Sequence, residues 1–204
     1  MQKESVQNDI ESIRKLMERS VKFVSLSGLS GILAGIYALI GAAFAYQQIY
    51  SGEVARSIEY HAKIPVVFNL ISIAAIVLVA SLVTGWWFSN QKAKKLKTKI
   101  WDKTSKRLLV NLSVPLITGG FFTLTLVYHG YYNLIGASVL LFYGLALLSA
   151  SSNLFEEVRY LGYCELLIGV AAALFPQYAL GFWTIGFGLL HILYGGIMFK
   201  KYDR

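Results

Sequence analysis

The sequence predicts an all-α, polytopic integral membrane protein with six transmembrane helices in consecutive hairpins and both termini in the cytosol. Of its 204 residues, 56% are apolar and only 15% are charged, whereas soluble domains carry about 25% charged residues. The charges are gathered in a few blocks between long apolar stretches. Of the 19 Lys and Arg residues, 17 fall on one side of the predicted topology. Because basic segments stay in the cytosol, this asymmetry predicts the orientation.

The composition also excludes several classes of protein. The net charge of +8 raises the question of nucleic-acid binding, which needs a basic face on a folded domain. Cytosolic retention of basic loops accounts for the charge without such a face, so we expect no nucleic-acid partner. Cys164 is the only cysteine, which excludes an internal disulfide or a cysteine metal cluster. Its place within a predicted span indicates a small, buried apolar role.

Residues 1–22 predict a cytosolic amphipathic helix. Its apolar residues recur at spacings of four, three, four and four, which places them on one stripe of a helix: Val6, Ile10, Ile13, Met17 and Val21. Two interpretations stay open. The helix lies on the bilayer or on the protein's own loops, or it binds a cytosolic protein partner.

Six apolar segments follow, and each is predicted to cross the bilayer. They cover residues 23–46, 64–88, 108–128, 134–151, 161–175 and 178–199, and residues 200–204 form a cytosolic tail. About 20 helical residues cross the hydrocarbon core. The fifth segment is shorter than that, and we expect residues 158–160 to extend it to a full crossing.

Small residues in the first span predict a close helix contact. Ser27, Gly31 and Gly35 recur every four residues and therefore share one helix face. Small residues at this spacing allow two helix backbones to approach closely within a membrane. The partner is either another helix of the same chain or a second copy in a homo-oligomer.

Residues 89–107 predict a basic cytosolic loop that determines the topology. Its only acid is Asp102, against eight cations: Lys92, Lys94, Lys95, Lys97, Lys99, Lys103, Lys106 and Arg107. Each Lys or Arg near a membrane surface contributes about 1 kcal/mol to the binding of anionic lipids. The loop is therefore also expected to contact anionic lipid headgroups.

Glu165 and His191 are the candidate functional residues. Ionisable residues within membrane spans usually face the interior of the bundle, and adjacent antiparallel helices place these two at a similar depth. Histidine titrates near neutral pH, so they form a candidate proton-responsive pair, with Asn111 of the third span as a polar partner. Asn69 in the second span is expected to bond to a neighbouring helix. The alternative is a structural role for the pair, with Glu165 reaching the cytosolic interface.

No pattern in the sequence indicates catalysis. It has no H-x-x-x-H or G-x-S-x-G motif and no matched pair of acids, so we expect no enzyme and no cofactor. The spacing of Glu59, His61 and His129 does not indicate a metal site. A non-enzymatic protein of the bacterial cytoplasmic membrane, stress-related or a partner subunit, is the first interpretation. A small oligomeric transporter or proton-linked channel using Glu165 and His191 is the alternative.

The last two hairpins carry a family resemblance. Residues 134–199 include the glycine-rich stretch LLIGVAAALFPQYALGFWTIGFGLLHILYGG, and their architecture and glycine placement resemble the bacterial HdeD-like (acid-resistance) small membrane proteins. The resemblance implies a stress-related protein of the inner membrane without catalysis. It carries over no site residues, and the basic loop and the N-terminal helix lie outside it.

Overall fold

The computed structural model describes residues 27–50, 63–97, 101 and 103–203, with residues 63–65 and 153 described by their backbone alone. Within these ranges every element is helical and no strand occurs, so the predicted all-helical class is confirmed there. The predicted N-terminal helix, the histidine and acid of the outer loop (His61 and Glu59) and Lys99 lie outside the described residues.

The described part of the chain forms six long helices. They are α1 (Gly28–Tyr50), α2 (Lys63–Lys95), α3 (Lys103–Tyr128), α4 (Ile135–Ala150), α5 (Glu156–Leu174) and α6 (Pro176–Asp203). Helix α6 is continuous but changes its winding along its length. It begins as a 3₁₀ turn, becomes α-helical, widens to a π-helix over Thr184–Leu190, returns to α-helix over His191–Met198 and ends as a π-helix over Phe199–Asp203.

Five helices are long and apolar enough to cross a membrane, and the fold is thus compatible with a multi-pass membrane protein. They are α1, the part of α2 from Val66, α3, α4 with the turn before it, and α6. The predicted fifth span corresponds to α5, which is not among them. Helix α5 begins at Glu156 and carries Glu157, Arg159 and Glu165 as well. The predicted sixth crossing is therefore not confirmed by length and composition.

Several helices extend further at the basic end than the sequence analysis predicts. Helix α2 runs to Lys95 and α3 begins at Lys103, so most of the predicted loop 89–107 is helical. The apolar pattern ends near residue 88, but Lys, Gln and Ala are good helix formers and continue the helix. Lys97, at φ 52°, has the left-handed conformation common just past a helix end. The predicted tail is likewise helical as far as Asp203.

Helices α4, α5 and α6 pack together as the centre of the molecule. Helix α1 packs against α6, α2 packs against α1, and α3 packs against α4. Helices α2 and α3, which belong to different predicted hairpins, are consecutive in the chain but make only marginal contact. Most of the packed pairs are consecutive helices, whereas the packing of α1 against α6 joins the two ends of the described chain.

Candidate functional site

Glu165 lies at the middle of α5 and is fully buried, with 0% of its surface exposed. Neither carboxyl oxygen has a hydrogen-bond partner among the described residues. Because α5 begins at Glu156, Glu165 is roughly 14 Å along the helix from its first residue, which is deeper than the sequence predicts. The carboxyl group therefore does not reach the N-terminal end of α5. Burying an unpaired charge costs several kcal/mol, so this position needs an explanation.

His191 on α6 is the ionisable group beside Glu165. Its Nδ1 lies 3.6 Å from Glu165 Oε1, too far for a good hydrogen bond. The same Nδ1 lies 3.0 Å from the carbonyl oxygen of Gly186, and Nε2 lies 2.7 Å from the hydroxyl of Tyr143 on α4. Since a carbonyl oxygen only accepts, Nδ1 carries a hydrogen and donates it to Gly186. In the neutral imidazole, Nε2 then accepts from the Tyr143 hydroxyl.

Apolar clusters enclose these three polar side chains on both sides. Towards the basic end lies a buried cluster from α3, α4 and α5: Leu108, Leu147, Ala150, Leu154, Val158 and Leu161. Towards the other end lie Ala137, Leu140 and Ala172. Phe187 packs at 5.0 Å from the Tyr143 ring and stacks at 5.8 Å on the His191 ring. The polar groups therefore face one another in an otherwise apolar interior.

The π-helical segment of α6 brings the backbone of α6 against Glu165. A Cβ placed on Gly186 would lie 2.6 Å from Glu165 Oε2 and 2.6 Å from Leu140 Cδ2. On another side of the segment, a Cβ on Gly188 would meet the Leu39 side chain of α1. Single π-helical turns occur frequently at functional sites. The sequence predicts a transmembrane helix here, and the density of glycines is its one feature that could indicate a change of winding.

Replacing Gly186 by alanine should push the Glu165 carboxyl out of place. The added methyl group would overlap both Glu165 and Leu140, and overpacking of a core typically costs about 1–3 kcal/mol. We expect Gly186→Ala to lower the free energy of unfolding in detergent by that amount. Gly181→Ala is the matched control, because a Cβ there meets nothing within 4 Å. Equal stability of the two variants would contradict the packing described for Gly186.

Neither asparagine of the predicted site forms a hydrogen bond to Glu165. Asn69 is exposed on α2, and its Nδ2 donates to Gln48 Oε1 on α1 at 3.5 Å, a bond to a neighbouring helix of the kind the sequence predicts. Asn111 is half-buried on α3 and forms no hydrogen bond to Glu165. The structure thus gathers Tyr143, which the sequence analysis missed, with Glu165 and His191, and does not add the asparagines to them.

The small residues of α1 contact α6 of the same chain. A Cβ on Gly31 would lie 3.1 Å from the Cα of Gly195, and one on Gly35 would lie 2.6 Å from the carbonyl oxygen of Gly188. The hydroxyl of Ser27 donates to Asp203 Oδ2 at 3.0 Å. This face of α1 is therefore covered within the monomer and is not available to a second copy.

The last turn of α6 ties the basic ends of three helices together. Asp203 accepts hydrogen bonds from Ser27 and from the Gly28 N–H, and it pairs with Lys92 of α2 at 2.6 Å. Lys201 donates to Glu157 at the start of α5, also at 2.6 Å. Partial burial raises the pKa of the Glu157 carboxyl, but hydrogen bonds, first from Lys201, outweigh this, and the pKa lies below its ordinary value.

The remaining described cations of the basic stretch are exposed. They form no ion pair with any described residue: Lys94, Lys95, Lys97, Lys103, Lys106 and Arg107. Cys164 is also exposed, so the prediction of a buried role for it is wrong. It lies on the face of α5 that turns away from the packed interior. Within the described residues no group of three His, Cys, Asp or Glu could hold a metal ion.

Comparison of the chain with protein-family models, with curated proteins and with solved structures gives no match in any of the three.

Proposed function

We propose that this chain is a non-enzymatic, multi-pass protein of the cytoplasmic membrane in which proton uptake at Glu165 and His191 changes the packing of α5 against α6. The single observation that carries the proposal is the fully buried Glu165 carboxyl, without a hydrogen-bond partner, 3.6 Å from His191. A group that served only to join helices would be expected to make hydrogen bonds, as buried polar groups generally do.

The charge balance of the pair explains how protons would act. The pair is electrically neutral either as carboxylic acid with imidazole or as carboxylate with imidazolium. One further proton leaves a net positive charge among apolar side chains, which is costly unless the packing opens to water. Tyr143 on α4 and Tyr194 on α6 are titratable groups near the pair, and both are neutral near pH 7 by their ordinary chemistry. Neither would compensate that charge.

The proposal includes a bilayer crossing by α5, as the sixth span, with both termini in the cytosol. Helix α5 has 19 residues, a length of roughly 28 Å, and it packs between α4 and α6, both of which are apolar enough to cross. Its buried Glu165 does not face lipid. The excess of Lys and Arg at one end supports the orientation. A stress-related role follows from the HdeD-like resemblance of residues 134–199 and stays a prediction.

Transport is the second candidate, and the same buried pair is the observation in its favour. A continuous polar path from Asn69 to Asn111 would have strengthened it. Asn69 instead bonds to Gln48 on the exposed side of α1 and α2, and apolar clusters lie on both sides of the pair. These contacts favour a proton-responsive packing change over a permeation path.

The native Cys164 provides the test, because it is exposed and adjacent to Glu165 in the chain. We expect an environment-sensitive fluorophore on Cys164, in lipid nanodiscs, to show a transition between about pH 5 and 8. The transition should disappear in Glu165→Gln and in His191→Gln, and should persist in His129→Gln, a control at an exposed histidine after α3.

A flat response in the wild-type protein, or a transition that survives both variants, would refute the proton-responsive role. Proton flux into liposomes, measured with the same variants, separates the two candidates. Proton flux that requires both Glu165 and His191 would support transport as the function of the protein. A transition without flux supports the proposed packing change.

A further inference from the structure

Six exposed cations lie at the basic end of α2 and α3. Lys94 and Lys95 lie at the end of α2, and Lys97 lies just past it. Lys103, Lys106 and Arg107 begin α3 at spacings of three and one, so they share one helix face. The opposite face of α3, with Ser105 and Leu108, is buried against the bundle. All six cations therefore point away from the packed interior.

Among the described residues, two acids at this end of the molecule are paired with other cations and do not neutralise this surface. At this end of the molecule Asp203 pairs with Lys92, and Glu157 pairs with Lys201. Glu156 at the start of α5 is an exposed acid, and Asp102, the one acid of the basic stretch in the sequence, lies outside the described residues. Among the described residues none of the six cations has an acidic partner. Charge complementarity therefore favours an external ligand that carries several negative charges.

Exposed aromatic and aliphatic side chains accompany the cations. In the connection between α2 and α3, Leu96 is 46% exposed and Trp101 is 67% exposed. Trp86 and Trp87 of α2 are also exposed, and tryptophan side chains favour the membrane–water interface. Lys95 lies eight residues beyond Trp87 in the same helix, roughly 12 Å further along its axis. This distance places the cations at the level of lipid headgroups.

The apolar surfaces of α2 and α3 continue from the cations into the hydrocarbon region. Leu82 and Val83 on α2, and Val110 and Val114 on α3, are each about 60% exposed. Because α2 and α3 make only marginal contact with each other, both surfaces are open to acyl chains. A phospholipid can therefore contact apolar side chains with its tails while its headgroup meets the cations.

We propose that the end of α2, residue 97 and the start of α3 form a binding surface for anionic phospholipid headgroups of the adjacent leaflet. The proposal requires that the protein is embedded in a membrane, but it does not depend on a proton response of Glu165 and His191. An acidic cytosolic protein is the competing occupant. The membrane is favoured because the exposed tryptophans and the apolar helix faces adjoin the cations.

The test uses the purified full chain in nanodiscs of mixed phosphatidylcholine and phosphatidylglycerol, with the retained lipids counted by native mass spectrometry. We expect phosphatidylglycerol to be enriched around the wild-type protein. Each removed cation should reduce the enrichment by up to about fivefold, so K94Q/K95Q/K97Q and K103Q/K106Q/R107Q should each lose most of it. The charge-preserving variant K94R/K95R/K97R should retain it.

Lys200→Gln serves as the matched control, because Lys200 is an exposed cation on α6 outside the proposed surface. The enrichment of phosphatidylglycerol around this variant should equal the enrichment around the wild-type protein. Thermal unfolding and protease accessibility verify that all variants are folded and equally oriented. No enrichment in the wild type, or equal enrichment in the glutamine variants, would overturn the proposal. Tighter binding of a polyglutamate peptide than of phosphatidylglycerol bilayers would assign the surface to an acidic protein and overturn it as well.

Discussion

Gly195→Ala will lower the free energy of unfolding by about 3 kcal/mol, the upper end of the range for overpacked cores. A Cβ on Gly195 would lie 2.6 Å from the carbonyl oxygen of Gly28 and closer still to the backbone nitrogen of Ile32. Both are backbone atoms of α1, so no side-chain rotation can relieve the overlap. The two helices must move apart, which would also disturb the bonds from Ser27 and Gly28 to Asp203.

The neighbouring Gly196 provides the control for this experiment. A Cβ there meets nothing within 4 Å, and alanine is the better helix former by about 1 kcal/mol. Gly196→Ala should therefore match or slightly exceed the wild-type stability in a denaturation series in detergent. If Gly195→Ala were as stable as Gly196→Ala, the close crossing of α1 and α6 would be incorrect.

Glu165→Met will raise the free energy of unfolding by about 1–3 kcal/mol. The native carboxyl oxygens are buried without hydrogen-bond partners, and the penalty for burying an unsatisfied polar group is of this size. An apolar side chain of similar length avoids that penalty, and apolar replacements of buried ionic groups are often neutral or stabilising. The proton-dependent signal at Cys164 should be lost in the same variant. A variant that is more stable than the wild type but no longer responds to pH is the result expected if Glu165 is retained for function and not for stability.

Glu165→Gln distinguishes this outcome from a simple effect of side-chain size. Glutamine keeps the shape and the polarity but cannot ionise, so we expect it to lose the response without gaining the stability of the methionine variant. Thermal unfolding in detergent measures the stability of both variants. A loss of about 3–5 kcal/mol in both would show instead that Glu165 joins the helices as part of an ion pair.

Local sequence patterns predict the main features of the site. Charged residues are rare within apolar segments, which is why Glu165 and His191 stand out without any structure. Their antiparallel helices and similar depth predict their proximity, and the structure places them 3.6 Å apart. Tyr143 could not be identified in this way. Tyrosine is common in this sequence, with 13 examples, and nothing local distinguishes the one whose hydroxyl meets His191.

Helix ends and helix neighbours were harder to predict than the helices themselves. The bounds at the basic end were set where the apolar pattern stops, whereas Lys63–Lys95 and Lys103–Tyr128 continue into polar residues. An apolar pattern indicates which part of a helix is surrounded by lipid or protein. It does not indicate the residue at which the backbone hydrogen bonds of the helix end. The depth of Glu165 along α5 differs for the same reason, because α5 begins at Glu156, five residues before the predicted start of the span.

The sequence by itself determines that this protein is helical and apolar enough for a membrane, and it predicts that most of its cations lie at one end. These properties depend on composition and on the spacing of residues along one chain segment. Only the tertiary structure decides that Gly31 and Gly35 meet α6, that Asp203 joins α1 and α2, and that a π-helical turn presses Gly186 against Glu165. Those contacts join residues far apart in the chain, and their geometry depends on how whole helices fit against one another.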